Sequence, residues 1–242
     1  MITLTLQRIE DTAYGTKTFF FDKPANFQFL AGQYVALKLD NLVAPDARAG
    51  VRSLSICSSP CEDGIAFTMR QSDSGFKKTF WSMQPGDTVS ITPPIGKFVL
   101  DPNDEREVVF LVGGVGITPV RSMLCEEAQS HGTRKFTLFN ANRTHEDAPH
   151  RDELRALSLP HFRYLDVFSQ EEKALRENEV KGYIESNLLT QYLDNPKDCL
   201  YYIVGSSSFL EAMEKMLADM GVPEDQWHQD PFTGLESANS KV

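Results

Sequence analysis

The run Val112-Gly-Gly-Val-Gly-Ile-Thr-Pro119 lies between an apolar stretch, Glu107–Val112, and an amphipathic pattern of helical period, Pro119–His131. Glycine reaches backbone angles closed to other residues and lets a ligand approach the chain, and a helix start favours negative charge. The spacing is not Gly-x-Gly-x-x-Gly, so by itself the run is either a nucleotide-phosphate turn or a plain tight turn. Both readings require a strand, a turn and a helix in succession. Thr118 ahead of Pro119 reads as an N-cap with proline at the first helical position.

That alternation continues to the C-terminus. Candidate strands at Lys135–Asn140, Phe162–Phe168 and Leu200–Val204 interleave with helical patterns at Arg151–Leu157, Ile184–Leu193 and Ser207–Met220, which predicts a parallel α/β sheet. The first hundred residues differ. Runs such as Thr16-Lys-Thr-Phe-Phe-Phe21 and Gln33-Tyr-Val-Ala-Leu-Lys-Leu39 sit between turn signals at Ala31-Gly32, Pro85-Gly86-Asp87 and Pro93-Pro94-Ile-Gly96, at the spacing of an antiparallel barrel. No helical pattern of 12 residues occurs there. The polar stretch Asp101-Pro-Asn-Asp-Glu-Arg106 divides a predicted β domain, 1–101, from a predicted α/β domain, 102–242, which ends in a polar tail.

Charge divides the same way: residues 1–100 carry ten Lys/Arg against nine Asp/Glu, and residues 101–242 carry 14 against 25. A net charge of -10 argues against nucleic acid as a partner, since phosphate neutralisation needs a basic surface. No stretch approaches the roughly 18 apolar residues of a membrane span, and the chain is expected to be cytoplasmic and monomeric. Cys57, Cys61, Cys125 and Cys199 lack the Cys-x2-Cys pairs of a zinc or iron-sulfur site, so reduced thiols and no metal are expected. His131, His145, His150, His161 and His228 fall in polar or turn regions without ligand spacing and are expected at the surface.

Arg52-Ser53-Leu54-Ser55 sits in a β run ahead of Ser58-Ser59-Pro60. Such an arginine can grip a phosphate bidentately while hydroxyls meet a ligand's polar atoms; the bland alternative is an ordinary surface strand. With Phe29-Leu-Ala-Gly-Gln-Tyr34, Pro93-Pro-Ile-Gly-Lys-Phe98, Gly113–Pro119 and Val204-Gly205-Ser206 in this order, the chain resembles the ferredoxin-NADP+ reductase superfamily nearly end to end. The resemblance implies an N-terminal antiparallel Greek-key β-barrel for the flavin, followed by a parallel α/β nucleotide-binding domain, with FAD as cofactor and NAD(P)H as substrate.

It also implies roles by matched position. Arg52 and Ser53 would meet the flavin phosphates and ribityl region, and Ser55 would donate near flavin N5, the hydride acceptor. Gly75-Phe76-Lys77-Lys78-Thr79 matches a Gly-x-x-Ser pyrophosphate loop with Lys78 in place of serine, and Met69 joins the flavin contacts. Leu54 replaces a tyrosine; losing its stacking and hydroxyl, each worth roughly 0.5–1.5 kcal/mol, would weaken flavin binding about tenfold or more. Asp225-Gln-Trp-His-Gln-Asp-Pro-Phe232 resembles the closing segment of plant-type members, which would put Phe232 on the flavin and Asp230 at the acidic active-site position; alternatively Phe232 only packs the last strand.

On the nucleotide side, Gly114, Gly116, Thr118 and Pro119 would face the pyrophosphate and nicotinamide, with Gly205 and Phe209 opposite. Arg143 joins the cofactor contacts, and Ser169, Lys181 and Tyr183 correspond to the 2′-phosphate side, but Gln170 stands where NADPH-specific members have arginine. Losing that charge-assisted bond costs roughly 1.5–3 kcal/mol; with Glu171 and Glu172 repelling phosphate, the balance tips slightly towards NADH. The function implied is an oxidoreductase passing electrons from NAD(P)H through FAD to a separate ferredoxin, flavodoxin or oxygenase component. The alternatives are a reductase of free flavin and a non-catalytic electron-transfer subunit.

Overall fold

The computed structural model describes residues 1–130, 132–173 and 175–231. They form two compact units, each assembled from separate stretches of chain. The first comprises Met1–Pro102, Thr118–Gly132 and Glu146–Leu159; the second comprises Asn103–Ile117, Thr133–His145 and the residues from Pro160 onward.

The first unit is built on six antiparallel strands: β1 (Ile2–Ala13), β2 (Thr16–Asp22), β3 (Tyr34–Lys38), β4 (Val51–Ser55), β5 (Gly64–Arg70) and β6 (Thr88–Ile91). Their order is β4-β3-β6-β1-β2-β5. The long β1 serves two neighbours, pairing with β6 from Ile2 to Thr5 and with β2 from Leu6 to Ala13, with a register shift between Leu6 and Arg8. Such a bulge bends the strand and curls the sheet. The outer strands β4 and β5 share no ladder. Just beyond β4, the Cys57 N–H donates to the Ala66 carbonyl at 2.8 Å and the Ala66 N–H donates to Ser58 Oγ at 3.0 Å. The expected barrel is therefore a curled sheet pinned at its edges by these two bonds.

Aromatic side chains fill its interior. Phe19, Phe21, Phe67, Phe76 and Phe80 are fully buried, and Phe19 meets Phe80 edge to face at 4.5 Å. Each such side chain contributes roughly 1.5–3 kcal/mol by burial. Phe76 and Phe80 come from a short helix, α1 (Gly75–Trp81), whose N-cap Ser74 accepts the Lys77 N–H. Two later helices, α2 (Ile117–Ser130) and α3 (Arg151–Arg155), contribute most of their residues to this unit.

The second unit is a parallel sheet of β7 (Val108–Gly113), β8 (Phe136–Asn142), β9 (Phe162–Phe168), β10 (Glu179–Lys181), β11 (Leu200–Gly205) and β12 (Trp227–Pro231), with α4 (Ser186–Tyr192) and α5 (Ser207–Asp219). The order β10-β9-β8-β7-β11-β12 reverses direction between β7 and β11. Val108 to Val112 and all of β11 are buried, as strands covered on both faces require. Leu210, Met213 and Leu217 lie on one face of α5 and join the core formed by Val109, Leu111, Leu165 and Ile203.

One local expectation is corrected. Helix α2 begins at Ile117, directly after a 3-10 turn at Gly114–Gly116, so Thr118 lies inside the first turn and is not the cap. Gly114, at φ 57°, turns the chain straight from β7 into the helix, and Pro119 is tolerated because first-turn N–H groups have no helical partner.

Candidate functional site

In the antiparallel unit, Arg52 occupies a slot already holding a carboxylate. Its Nη2 donates to Asp46 Oδ1 at 2.6 Å and its Nη1 to Oδ2 at 2.9 Å, a bidentate pair. The Asp46 side chain is 1% exposed and that of Arg52 13%. Asp46 Oδ1 also accepts the Phe76 N–H at 3.2 Å, and Oδ2 accepts the N–H groups of Arg48 and Gly50, each at 3.1 Å. The Arg52 bond is the main reason the Asp46 carboxyl lies far below the usual carboxylate range, against the upward push of burial. The slot fits a phosphate oxygen in charge and donor set, since a protein oxyanion already sits in it.

Alternation along β4 puts Arg52 and Leu54 on one face and Ser53 and Ser55 on the other. Arg52 stacks over the Phe76 ring at 5.1 Å, and Leu54 packs against the core. Ser55 is buried and Ser53 exposed. Half-buried Lys77 has its pKa lowered, first by desolvation and then by the cations of Arg52 and Arg70. Lys77 and Arg70 thus lie close enough to Arg52 for their charges to interact.

Other expected flavin contacts are engaged elsewhere. A Cβ on Gly75 would stand 2.2 Å from the Ala44 carbonyl oxygen and 2.4 Å from that of Pro45, so glycine is required there by the chain's own loop. Thr79 Oγ1 accepts the Val43 N–H at 2.9 Å and donates to the Gly75 carbonyl at 2.8 Å. Exposed Lys78 pairs with Asp73 at 3.3 Å, and Met69 lies in the hydrophobic core. Phe232 lies outside the described residues; Asp230, on β12, pairs in register with Val204.

The antiparallel unit also contains a polar network, buried at Arg121, Ser122 and His150 and reaching the surface at Glu62 and Glu153. Arg121, on α2, donates to the Cys57 carbonyl and to Glu62 at 2.9 Å each, and pairs with Glu153 at 2.5 Å. The Ser122 hydroxyl donates to the Ser58 carbonyl at 2.7 Å. His150 contacts Thr68 Oγ1 at 2.8 Å, Cys57 Sγ at 3.4 Å and Glu153 at 3.3 Å. Burial alone would lower the His150 pKa, but Cys57 and Glu153 push it up to about 9. His150 is thus no surface histidine, contrary to expectation. Its partners are distant in sequence, and nothing in the local pattern announces them.

In the parallel unit, the glycines cluster where the strand order reverses, the usual ligand crevice of an open α/β sheet. Phe209, on α5, lies against Gly113 and Gly205: a Cβ on Gly113 would meet its ring at 3.1 Å and one on Gly205 at 2.8 Å. A Cβ on Gly116 would fall 2.8 Å from the Val204 carbonyl oxygen. Gly116 thus answers to internal packing, whereas Gly114 has open space around the missing side chain. Thr118 and Pro119 are buried.

The C-terminal ends of β8, β9 and β10 bring together Arg143, Ser169, Gln170 and Lys181. The Gln170 N–H donates to the Arg143 carbonyl at 2.9 Å, and the Gly182 N–H to the Phe168 carbonyl at 2.8 Å. Arg143, Gln170, Lys181 and Tyr183 are exposed. Glu171 faces inward and is buried. It accepts the backbone N–H groups of His145 at 2.8 Å and Lys173 at 2.9 Å, which with the His145 ring hold its pKa at about 2. His145, also expected at the surface, is 15% exposed in its side chain, and its Nε2 lies 2.8 Å from Glu179.

Cys61 is exposed and the other three cysteines are buried, all as free thiols. Among the described residues, no cluster of candidate metal ligands occurs and no helix is long and apolar enough to cross a membrane.

Residues 110–215 match the family model of the oxidoreductase NAD-binding domain. The flavohemoprotein of Bacillus subtilis is 28% identical over 225 residues, 89% of this chain and 55% of that protein. The F component of the Na(+)-translocating NADH-quinone reductase of Yersinia enterocolitica is 27% identical over 244 aligned positions, 94% of this chain and 59% of that one. The chain thus spans somewhat over half the length of these relatives. Among solved structures, the Amycolatopsis cytochrome P450 reductase GcoB superposes with a TM-score of 0.81 at 22% identity, covering 95% of this chain and 69% of the other. A Neisseria gonorrhoeae ferredoxin NADP+ reductase with bound FAD and NADP gives 0.78 at 21% identity, covering 95% and 98%.

Proposed function

Because this chain has the fold of the ferredoxin-NADP+ reductase-like proteins and carries their nucleotide-domain sequence, we propose that it is an NAD(P)H oxidoreductase using FAD and delivering electrons to a separate carrier protein. The observation that carries this reading is a candidate site within each unit. One unit holds an arginine slot built for an anion, and the other gathers its glycines at the strand-order reversal of a parallel sheet. Bound flavin supplies the conversion between two-electron and one-electron chemistry.

In this reading the chain's residues bind and orient. Arg52, with Lys77 nearby, holds flavin phosphate, and Ser53 and Ser55 present hydroxyls from the other face of β4. Ser55, buried and fixed in the β3–β4 ladder opposite Tyr34, donates near the flavin ring and sets its orientation. In the nucleotide unit, Gly114 leaves room for the pyrophosphate, and Arg143, Ser169, Lys181 and Tyr183 meet the adenosine end. The acceptor is a ferredoxin, a flavodoxin or an oxygenase component.

A second reading, reduction of free flavin as substrate, is favoured by Leu54 and by the carboxylate already seated on Arg52. Anaerobic stopped-flow reduction of FAD-loaded protein with NADH and then with NADPH tests the proposal, and bleaching by at least one nucleotide is expected. Absence of bleaching with both overturns it. FAD retained through gel filtration excludes the free-flavin reading.

A further inference from the structure

Asp46 answers no requirement of the chemistry above. It lies in the loop between β3 and β4, where Ala44 and Pro45 press their carbonyls against Gly75 and Val43 donates to Thr79. The loop is thereby closed over the start of α1 and carries the Asp46 carboxylate to the groups expected to receive a phosphate: the Arg52 guanidinium and the Phe76 N–H. Its backbone is under constraint. Ala49 adopts φ 48°, a left-handed conformation disfavoured for a residue with a Cβ, and Gly50 adopts φ 76° where a Cβ would meet the Leu39 carbonyl oxygen at 2.6 Å.

Two anions cannot share one guanidinium fork without repulsion. We propose that Asp46 is an internal counter-anion that flavin phosphate must displace from Arg52, so that residue 46 sets how strongly the chain discriminates phosphorylated flavins from riboflavin. The inference rests on the reading that Arg52 faces the flavin phosphates. Binding of FAD or FMN then exchanges partners at Arg52 and releases the loop from Gly75 and Thr79, whereas riboflavin leaves the pair intact. The neighbouring cations Arg70 and Lys77 favour the exchange once a more highly charged anion arrives.

The test is fluorescence titration of the full chain with riboflavin, FMN and FAD, comparing the native protein with Asp46→Asn. Asparagine keeps an acceptor for the Arg48 and Gly50 N–H groups and removes the charge. We expect FMN and FAD to bind roughly ten- to a hundredfold more tightly to the variant, the worth of one freed charge-assisted contact, with riboflavin unchanged. The gain should vanish in Asp46→Asn combined with Arg52→Ala. If Asp46→Asn fails to fold, Asp46→Ser, which retains a short acceptor for the turn, carries the same comparison. Equal FAD affinities in native protein and variant, or a parallel gain for riboflavin, overturn the proposal while leaving the flavin reading standing. If neither form binds any of the three flavins, the flavin reading itself falls and this inference with it.

Discussion

Cys57 Sγ and His150 Nε2 lie 3.4 Å apart although 93 positions separate them in the chain, and Glu153 holds the other ring nitrogen of the histidine at 3.3 Å. Thr18 and Thr68 also face the histidine, and Arg121 and Glu62 lie beyond them in the same network. His150 is raised from 6.5 to about 9, so its contribution to stability is complete below pH 6.5 and fades as pH climbs through 9. Glu153 is lowered from 4.5 to about 2, mainly by His150 and Arg121 against the cost of burial, so its contribution is complete above pH 4.5 and fades as pH falls through 2. Urea unfolding of the native chain against His150→Gln should therefore show the largest gap between about pH 5 and 6.5, of order 1–3 kcal/mol for a buried group left poorly satisfied. A gap that does not shrink by about pH 9 would sink this account.

Thiol reactivity should sort the four cysteines by access. Cys57 has its pKa lowered by His150 and Arg121, which outweigh the opposing effect of burial, but it is fully buried. Burial pushes Cys125 and Cys199 up to about 12. Native protein mixed with a chromogenic disulfide reagent should release one fast equivalent, lost in Cys61→Ser. Two fast equivalents would mean that Cys57 becomes exposed on the timescale of the reaction.

Glycines of the strand-order reversal should separate into two kinds. Gly116→Ala and Gly205→Ala drive a methyl group against the Val204 backbone and the Phe209 ring, and each should cost about 1–3 kcal/mol in thermal or denaturant unfolding. Gly114→Ala meets no neighbour within 4 Å and pays only for its positive φ, about 1 kcal/mol. If Gly114→Ala is as damaging to stability as Gly116→Ala, steric packing is not what fixes these positions.

Nucleotide preference should respond to residue 170. Gln170 is exposed and its N–H is fixed to the Arg143 carbonyl, so Gln170→Arg adds a guanidinium to an edge that already displays Arg143 and Lys181. The ratio of kcat/KM for NADPH over NADH should rise roughly ten- to a hundredfold, carried by KM. An unchanged ratio would separate this edge from 2′-phosphate recognition.

The strands and helices legible in the sequence are those with buried, periodic faces: Phe162–Phe168 agrees with its expected bounds, and α5 agrees to within one residue. What escaped is polar or distant. Strands β10 and β12 are the outer strands of the parallel sheet; Glu-Val-Lys and Trp-His-Gln-Asp-Pro carry little apolar alternation because an edge needs little. The burial of His145 depends on Glu171 and Glu179, and that of His150 on Thr68 and Cys57, pairs made only by the assembled fold. Arg52 was legible as an anion-binding residue, but Asp46 was not legible as the anion, since a turn of Pro-Asp-Ala-Arg-Ala-Gly suits any loop.

Arg121 and Ser122 hold the carbonyls of Cys57 and Ser58, and His150 caps the hydroxyl of Thr68, all within the first unit yet supplied by chain beyond Pro102. A piece ending at Pro102 would therefore leave two backbone acceptors without these donors, and would leave the Thr68 hydroxyl with Thr18 and Cys57 but without His150, along the seam where β4 and β5 meet without a ladder. Chain order makes the two units look like separable modules, but moving the segment before Pro102 alone into another protein would leave those contacts behind. Any exchange of parts has to carry α2 and α3 with the β strands they complete.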